Sequence, residues 1–165
     1  MKPITVERAR LEDVEAMKAI LDDYARTGDL LARSRLSLYE SIRDFFVAKD
    51  DRGEIVGLCA LHISWIDLAE VRSLAVKREL QSRGIGRTLV ERCLADAEDL
   101  GLQRVFALTY RPAFFAMLGF HAIEKSELPH KVWQDCVHCP KFPDCDEVAV
   151  LREVLGRGRV LGEAA

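Results

Sequence analysis

Apolar positions along this chain switch between a period of two and a period near 3.6, and the switches mark its elements. Ile4 to Arg8 alternates weakly and reads as a first strand. Val14, Met17, Ile20 and Leu21 then recur at helical spacing, which lines them up on one face. Glu12 and Asp13 suit the start of that helix, and Gly28 breaks it. Leu36 to Ile42 fits a second short helix. Phe45 to Ala48 and Ile55 to Trp65 read as strands, joined by the turn signal Asp50-Asp51-Arg52-Gly53 into an antiparallel hairpin. Leu68 to Val76 is the next strand. Strict alternation puts Glu70, Arg72, Leu74 and Val76 on one face and Val71, Ser73 and Ala75 on the other.

After a loop from Gln81 to Gly86, an apolar stripe of Ile85, Leu89, Val90, Cys93, Leu94, Ala97 and Leu100 predicts an amphipathic helix capped by Gly101. Val105 to Leu108 is a short buried strand. Pro112 to Leu118 is a helix opened by proline and stopped by Gly119. Strand, glycine loop, helix, strand is a βαβ unit. The hairpin before it makes the expected fold a mixed α/β one, with a central sheet flanked by helices.

The length of 165 residues suits one domain, expected over residues 1–155, with a Gly- and Arg-rich tail at 156–165. Hydrophobic residues at 49% and charged residues at 31% allow both a core and solubility. A net charge of −3 speaks against nucleic acid as a partner. The apolar stretch from Ile55 to Ile66 is too short to cross a bilayer, and the first ten residues lack a secretory apolar core. No membrane partner is expected, and the default location is cytoplasmic. Five unevenly spread cysteines argue for reduced thiols.

The strongest chemical signal is Gln81-Ser82-Arg83-Gly84-Ile85-Gly86-Arg87-Thr88, between a strand and a helix. A helix start offers unpaired N–H groups and the positive end of a dipole, and phosphate oxygens accept from both. Gly84 and Gly86 let a ligand approach the backbone, while Arg83 and Arg87 add charge. The plainer reading is a strand-to-helix turn, since two glycines match often by chance. Leu74-Ala75-Val76 followed by Gln81-x-x-Gly84-x-Gly86 resembles the acetyl-CoA motif of GNAT acetyltransferases. Phe114-Phe115-Ala116-Met117-Leu118-Gly119-Phe120 is similar to that family's late aromatic-x-x-Leu-Gly-Phe motif. The resemblance runs from Ile4 to about Val150. It implies a splayed sheet, acetyl-CoA as co-substrate paired through its pantetheine arm with Leu74–Val76, and an oxyanion steadied by the Leu74 N–H.

Leu30 to Arg35, Glu70 to Val76 and Arg104 to Thr109 further resemble the acetyltransferase domain of N-acetylglutamate synthases, in their short single-domain form. That resemblance implies an amino-acid acceptor, glutamate first, acetylated as the opening step of arginine biosynthesis. Arg33 and Arg35 match the family's substrate loop; Arg72 and Ser73 on the strand, and Lys131 and Lys141 in the late segment, complete the basic and polar groups expected around the carboxylates. Glu70 matches a catalytic glutamate and is the candidate base, acting directly or through water. Many GNAT enzymes carry a tyrosine acid where this chain has Phe115, so Thr109 and Tyr110 are the candidate acids. Each has a plainer reading as a structural hydroxyl or an exposed side chain. A homodimer is the family's implied assembly.

Cys136-x2-Cys139-x5-Cys145 has thiolates at spacings that can bind zinc. No second pair at ribbon spacing accompanies it, so no metal is expected to be required. Two alternatives stand beside the glutamate reading. One is acetylation of glutamine or another amine; the other is a non-catalytic acyl-CoA or thiol-metal sensor.

Overall fold

The computed structural model describes residues 2–129, 136–141 and 144–154. Seven strands form one mixed, mostly antiparallel sheet in the order β1-β2-β3-β4-β5-β7-β6. The chain divides into two compact units: Met1–His62 with Val71–Asp96, and Ile63–Glu70 with Ala97–Ala165.

In the first unit β1 (Thr5–Arg8), β2 (Phe45–Lys49) and β3 (Ile55–Trp65) pair antiparallel in sequence order. The expected hairpin is present, with Phe45 opposite Ala60 and Val47 opposite Leu58. β2 is apolar at four successive positions because both of its faces are covered. Phe45 and Val47 join a core with Val14, Met17, Ile20, Leu21 and Tyr24 of α1 (Val14–Arg26). Phe46 faces the other way, under the guanidinium groups of Arg8 (4.9 Å) and Arg92 (4.7 Å). Arg92 belongs to α3 (Ile85–Asp99), whose Leu89, Val90 and Cys93 are fully buried. The short α2 (Arg35–Glu40) is capped by Ser34, whose hydroxyl accepts from the Ser37 N–H at 3.1 Å.

In the second unit the start of β4 (Leu68–Val76) runs parallel to β5 (Arg104–Thr109), as the βαβ reading requires. The ladder pairs Leu68–Glu70 with Arg104–Phe106, while β4 continues to Val76 and β5 to Thr109. β7 (Val148–Glu153) inserts antiparallel between β5 and β6 (His121–Ile123). Leu68, Phe106, Leu128, Ala149 and Leu151 form this unit's core. Before β6, α4 (Pro112–Ala116) stops two residues short of the expected Leu118, and a turn leads to Gly119, which takes φ 85°.

Two sequence expectations need correction. Leu100 is not part of the apolar stripe: α3 ends at Asp99, and Leu100 is 55% exposed. Gly101 at φ 80° turns the chain, and Leu102 N–H bonds back to Ala97 O, so the helix closes one residue before the stripe would. Strict alternation along β4 also fails. Ser73 has φ 55°, a left-handed conformation outside the extended range on which the period of two depends. Glu70 and Leu74, on either side of Ser73, therefore do not share a face by simple counting.

Candidate active site

The expected cofactor residues, Leu74 through Thr88, form one continuous path from the end of β4 into α3. Lys77 N–H bonds Val56 O at 2.8 Å and a 3-10 turn follows at Arg78–Leu80. Ser82 and Gly84 then adopt φ 62° and 83°. Left-handed residues alternating in a turn point successive N–H groups to one side, a concavity suited to anions. The start of α3 adds its first amides. Thr88 stays local, its hydroxyl and N–H both donating to Gly84 O at 3.0 and 3.1 Å. Arg83 is exposed, whereas Arg87 is bonded to Glu91 at 2.8 Å.

Two residues that sequence reading missed fix this loop. Tyr24 of α1 donates its phenol proton to Val76 O at 2.5 Å and accepts from Gln81 Nε2, so one buried hydroxyl bridges the strand end and the loop. Arg78 stacks over the Tyr24 ring at 4.4 Å and bonds Asp23 at 2.9 Å. Hydrogen bonds from Arg26 and Arg78 hold the Asp23 carboxyl below its ordinary pKa. Gly57 of β3 is the second. A Cβ there would lie 3.1 Å from Leu89 Cδ1, 3.2 Å from Ala75 O and 3.4 Å from Ile85 Cγ2, so its absence lets α3 start against the sheet. A recess of about 190 Å³ beside the loop is lined by Lys2, Arg52, Arg83 and Ile85 among others. A second cavity, about 660 Å³, opens between α1 and the 77–79 turn, and none of the expected site residues lines it.

On the expected acceptor side, Arg33 and Ser73 are brought together. Arg33 Nη1 donates to Ser73 Oγ at 3.3 Å, and Nη2 donates to Ser37 Oγ (2.9 Å) and Ser41 Oγ (3.0 Å). Arg35 turns elsewhere: it is exposed and bonds both carboxylate oxygens of Glu15 on α1, at 2.6 and 3.1 Å. Arg72 is half-buried in β4.

In the second unit Glu70 is half-buried and sits opposite Phe106, the last pair of the β4–β5 ladder. Thr109 closes β5, and its hydroxyl oxygen accepts the Arg111 N–H at 2.8 Å, the local role that short hydroxyls often take. Tyr110 follows, and its hydroxyl accepts from Lys141 Nζ at 2.5 Å, with the ammonium 4.4 Å above the ring. Lys141 also lies 3.8 Å from Glu147. The Lys141 hydrogen bond pulls the Tyr110 pKa down, but desolvation and an acceptor on Asp146 outweigh it, leaving the phenol above its ordinary value. The Tyr110 bond also raises Lys141, and burial raises Glu147. Lys131 lies outside the described residues. Cys136, Cys139 and Cys145 are half-buried and form no disulfide among the described residues. Among the described residues, no group of three or more His, Cys, Asp or Glu side chains could hold a metal ion.

A strand delivered into a left-handed glycine turn and an open helix start, on a mixed seven-stranded sheet, makes a site suited to the phosphates of a nucleotide-bearing cofactor. The model of the acetyltransferase (GNAT) family matches residues 14–122, and the chain belongs to that family. It is 45% identical over 147 residues to an uncharacterised N-acetyltransferase of Chlorobaculum tepidum, covering 89% of this chain and 94% of the relative. It is 43% identical over 163 residues to an amino-acid acetyltransferase of Mycobacterium tuberculosis, covering 94% and 92%. Among solved structures, a Mycobacterium tuberculosis protein in complex with CoA and NLQ superposes with a TM-score of 0.79 at 37% identity, covering 92% of this chain and 99% of that one. N-acetylglutamate synthase from Neisseria gonorrhoeae, complexed with coenzyme A and N-acetyl-glutamate, gives a TM-score of 0.84 at 26% identity. The match covers 93% of this chain but 36% of the synthase.

Proposed function

We propose that this enzyme moves the acetyl group of acetyl-CoA to the α-amine of L-glutamate, the reaction that opens arginine biosynthesis. The observation that carries the acceptor class is the near-full-length similarity to an amino-acid acetyltransferase. The synthase complexed with N-acetyl-glutamate supports glutamate within that class.

The diphosphate of acetyl-CoA binds N–H groups between Ser82 and Arg87, with Arg83 adding charge; the Gln81 and Thr88 N–H groups already donate to Arg78 O and Gly84 O. The pantetheine arm pairs with the β4 backbone at Leu74–Val76. Glutamate arrives as an ammonium, which has no lone pair to attack with. Glu70 takes that proton, directly or through a water. The amine nitrogen bonds the thioester carbon, and the Leu74 N–H stabilises the oxyanion that forms. Collapse breaks the C–S bond, and the nitrogen loses its second proton to water, which leaves the neutral amide. Tyr110, kept protonated by its raised pKa, returns a proton to the leaving thiolate. Thr109 is the other acid candidate; its oxygen accepts the Arg111 N–H, which leaves its own proton available. N-acetylglutamate and CoA are the products. Arg72, Lys131 and Lys141 are the proposed surroundings of the acceptor; Arg33 is bonded to Ser73 and Arg35 to Glu15.

Mass spectrometry of a reaction containing acetyl-CoA and equal amounts of glutamate, glutamine and aspartate tests this reading. N-acetylglutamate as the main product, with turnover down by about 10²–10⁴-fold in Glu70→Gln, supports it. Acetylation of glutamine alone would move the acceptor, and no product would reject glutamate as the acceptor.

A further inference from the structure

Arginine has five N–H donors in a rigid plane, a shape that suits a carboxylate gripped by two of them. At Arg33 the fork is spread over hydroxyls instead. Nε and Nη2 both reach Ser37 Oγ, at 3.3 and 2.9 Å, Nη2 also reaches Ser41 Oγ at 3.0 Å, and Nη1 reaches Ser73 Oγ at 3.3 Å. The guanidinium lies 5.2 Å over the Phe45 ring, and Lys18 of α1 donates to the Arg33 carbonyl at 3.0 Å. Arg33 is thus held from α1, α2 and β2, and one arm extends to β4.

What that arm touches is the irregular residue of β4. Ser73 has φ 55°, a conformation that L side chains adopt only where surrounding contacts impose it. Ser73 directly precedes Leu74, so the kink fixes the direction in which the Leu74 N–H points. We infer that Arg33 is a positioning residue for acetyl transfer: its guanidinium holds the left-handed kink at Ser73 and thereby aims the Leu74 N–H. The inference rests on the reading that β4 around Leu74 receives the thioester. It gives Arg33 a role that persists without any acceptor in place, unlike direct recognition of a carboxylate.

Three variants of the full chain separate the possibilities: Arg33→Lys, which keeps the charge but not the planar fork, Ser73→Ala, which removes the acceptor hydroxyl, and the double. Steady-state kinetics are measured with acetyl-CoA and the amino acid that the wild type acetylates, and thermal midpoints report folding. Each single variant should lower kcat by about tenfold, the scale of a small misplacement at the reacting centre, with the acceptor KM nearly unchanged. The double should be no slower than the slower single, because both remove one contact. Losses that multiply would overturn the inference. A raised acceptor KM at unchanged kcat in Arg33→Lys would make Arg33 an acceptor ligand instead. If Ser73→Ala lowers kcat and Arg33→Lys does not, the β4 reading stands and the positioning role falls. If Ser73→Ala leaves kcat unchanged, the β4 reading fails as well. Should Arg33→Lys not fold, Ser41→Ala loosens the same guanidinium and enters the same coupling test.

Discussion

Replacing Tyr24 by phenylalanine removes one oxygen atom and two hydrogen bonds that meet on it. The phenol is 8% exposed; it donates to Val76 O at 2.5 Å and accepts from Gln81 Nε2. The two losses differ in kind. Gln81 is half-buried and its amide can turn to water, so its share is small. The Val76 carbonyl loses the phenol inside the protein, and leaving a buried acceptor unpaired costs about 1–3 kcal/mol. For a domain of this size each kcal/mol moves the melting midpoint by about 2–4 °C, so Tyr24→Phe should melt roughly 2–12 °C lower. The functional consequence follows from where the bonds lead. With the strand end and the loop unlatched, the 82–84 amides lose part of their preorganisation, and CoA binding should weaken by about threefold to tenfold, or roughly 0.7–1.4 kcal/mol. Calorimetric titration with CoA, beside a melting curve, reads both effects. Tyr39→Phe, at a tyrosine that is 44% exposed, serves as the control. A lower midpoint with unchanged CoA affinity would refute the latch; no change in either would refute the hydrogen-bond argument itself.

The remaining predictions concern the helix seat, one ion pair and the acid. Gly57→Ala puts a methyl 3.1 Å from Leu89 and 3.2 Å from the Ala75 carbonyl. Overpacking of about 1–3 kcal/mol outweighs the gain of about 0.4–1 kcal/mol from a stiffer unfolded chain, so melting falls and CoA titration shows weaker binding. Lys49 has a pKa above its ordinary 10.5, chiefly through its hydrogen bond to Glu7, with Asp13 adding to it against desolvation. A raised lysine pKa stabilises fully below 10.5 and loses that contribution as pH rises through the folded value. The midpoint difference between wild type and Lys49→Met should therefore hold steady to about pH 10 and close above it. The Tyr110 pKa is raised above 10.0, so the phenol remains an acid through neutral pH. Tyr110→Phe should lower kcat by about 10²-fold and abolish any fall of kcat on the alkaline side; an unchanged pH profile would remove Tyr110 from the mechanism.

The elements that could be read from the sequence are those whose signal is local. α1 and α3 show their buried faces as residues spaced by three and four, and the β2–β3 hairpin carries its own turn. The strand feeding a glycine loop marks the candidate cofactor path for the same reason: the motif is contiguous. What escaped depends on distant partners. β7 pairs with β5 through Thr109↔Val148 and its neighbours, and β6 has three residues, too few to show a period. The kink at Ser73 is invisible to counting by twos, which assumes an unbroken strand. Tyr24 reads as one more apolar residue of α1, since its phenol's partner lies 52 residues away. Arg35 looks like its neighbour Arg33, yet Glu15 on α1 claims it. Side-chain identity proposes a charge; only the fold decides which partner it meets.

The central claim is acetyl transfer to the amine of a small dicarboxylic amino acid. Its most direct test is CoA-thiol release from acetyl-CoA by the purified protein, screened against each of the twenty free amino acids. Release that saturates with glutamate and exceeds the rate with every other amino acid is the expected result. Release with none of the twenty would contradict the claim.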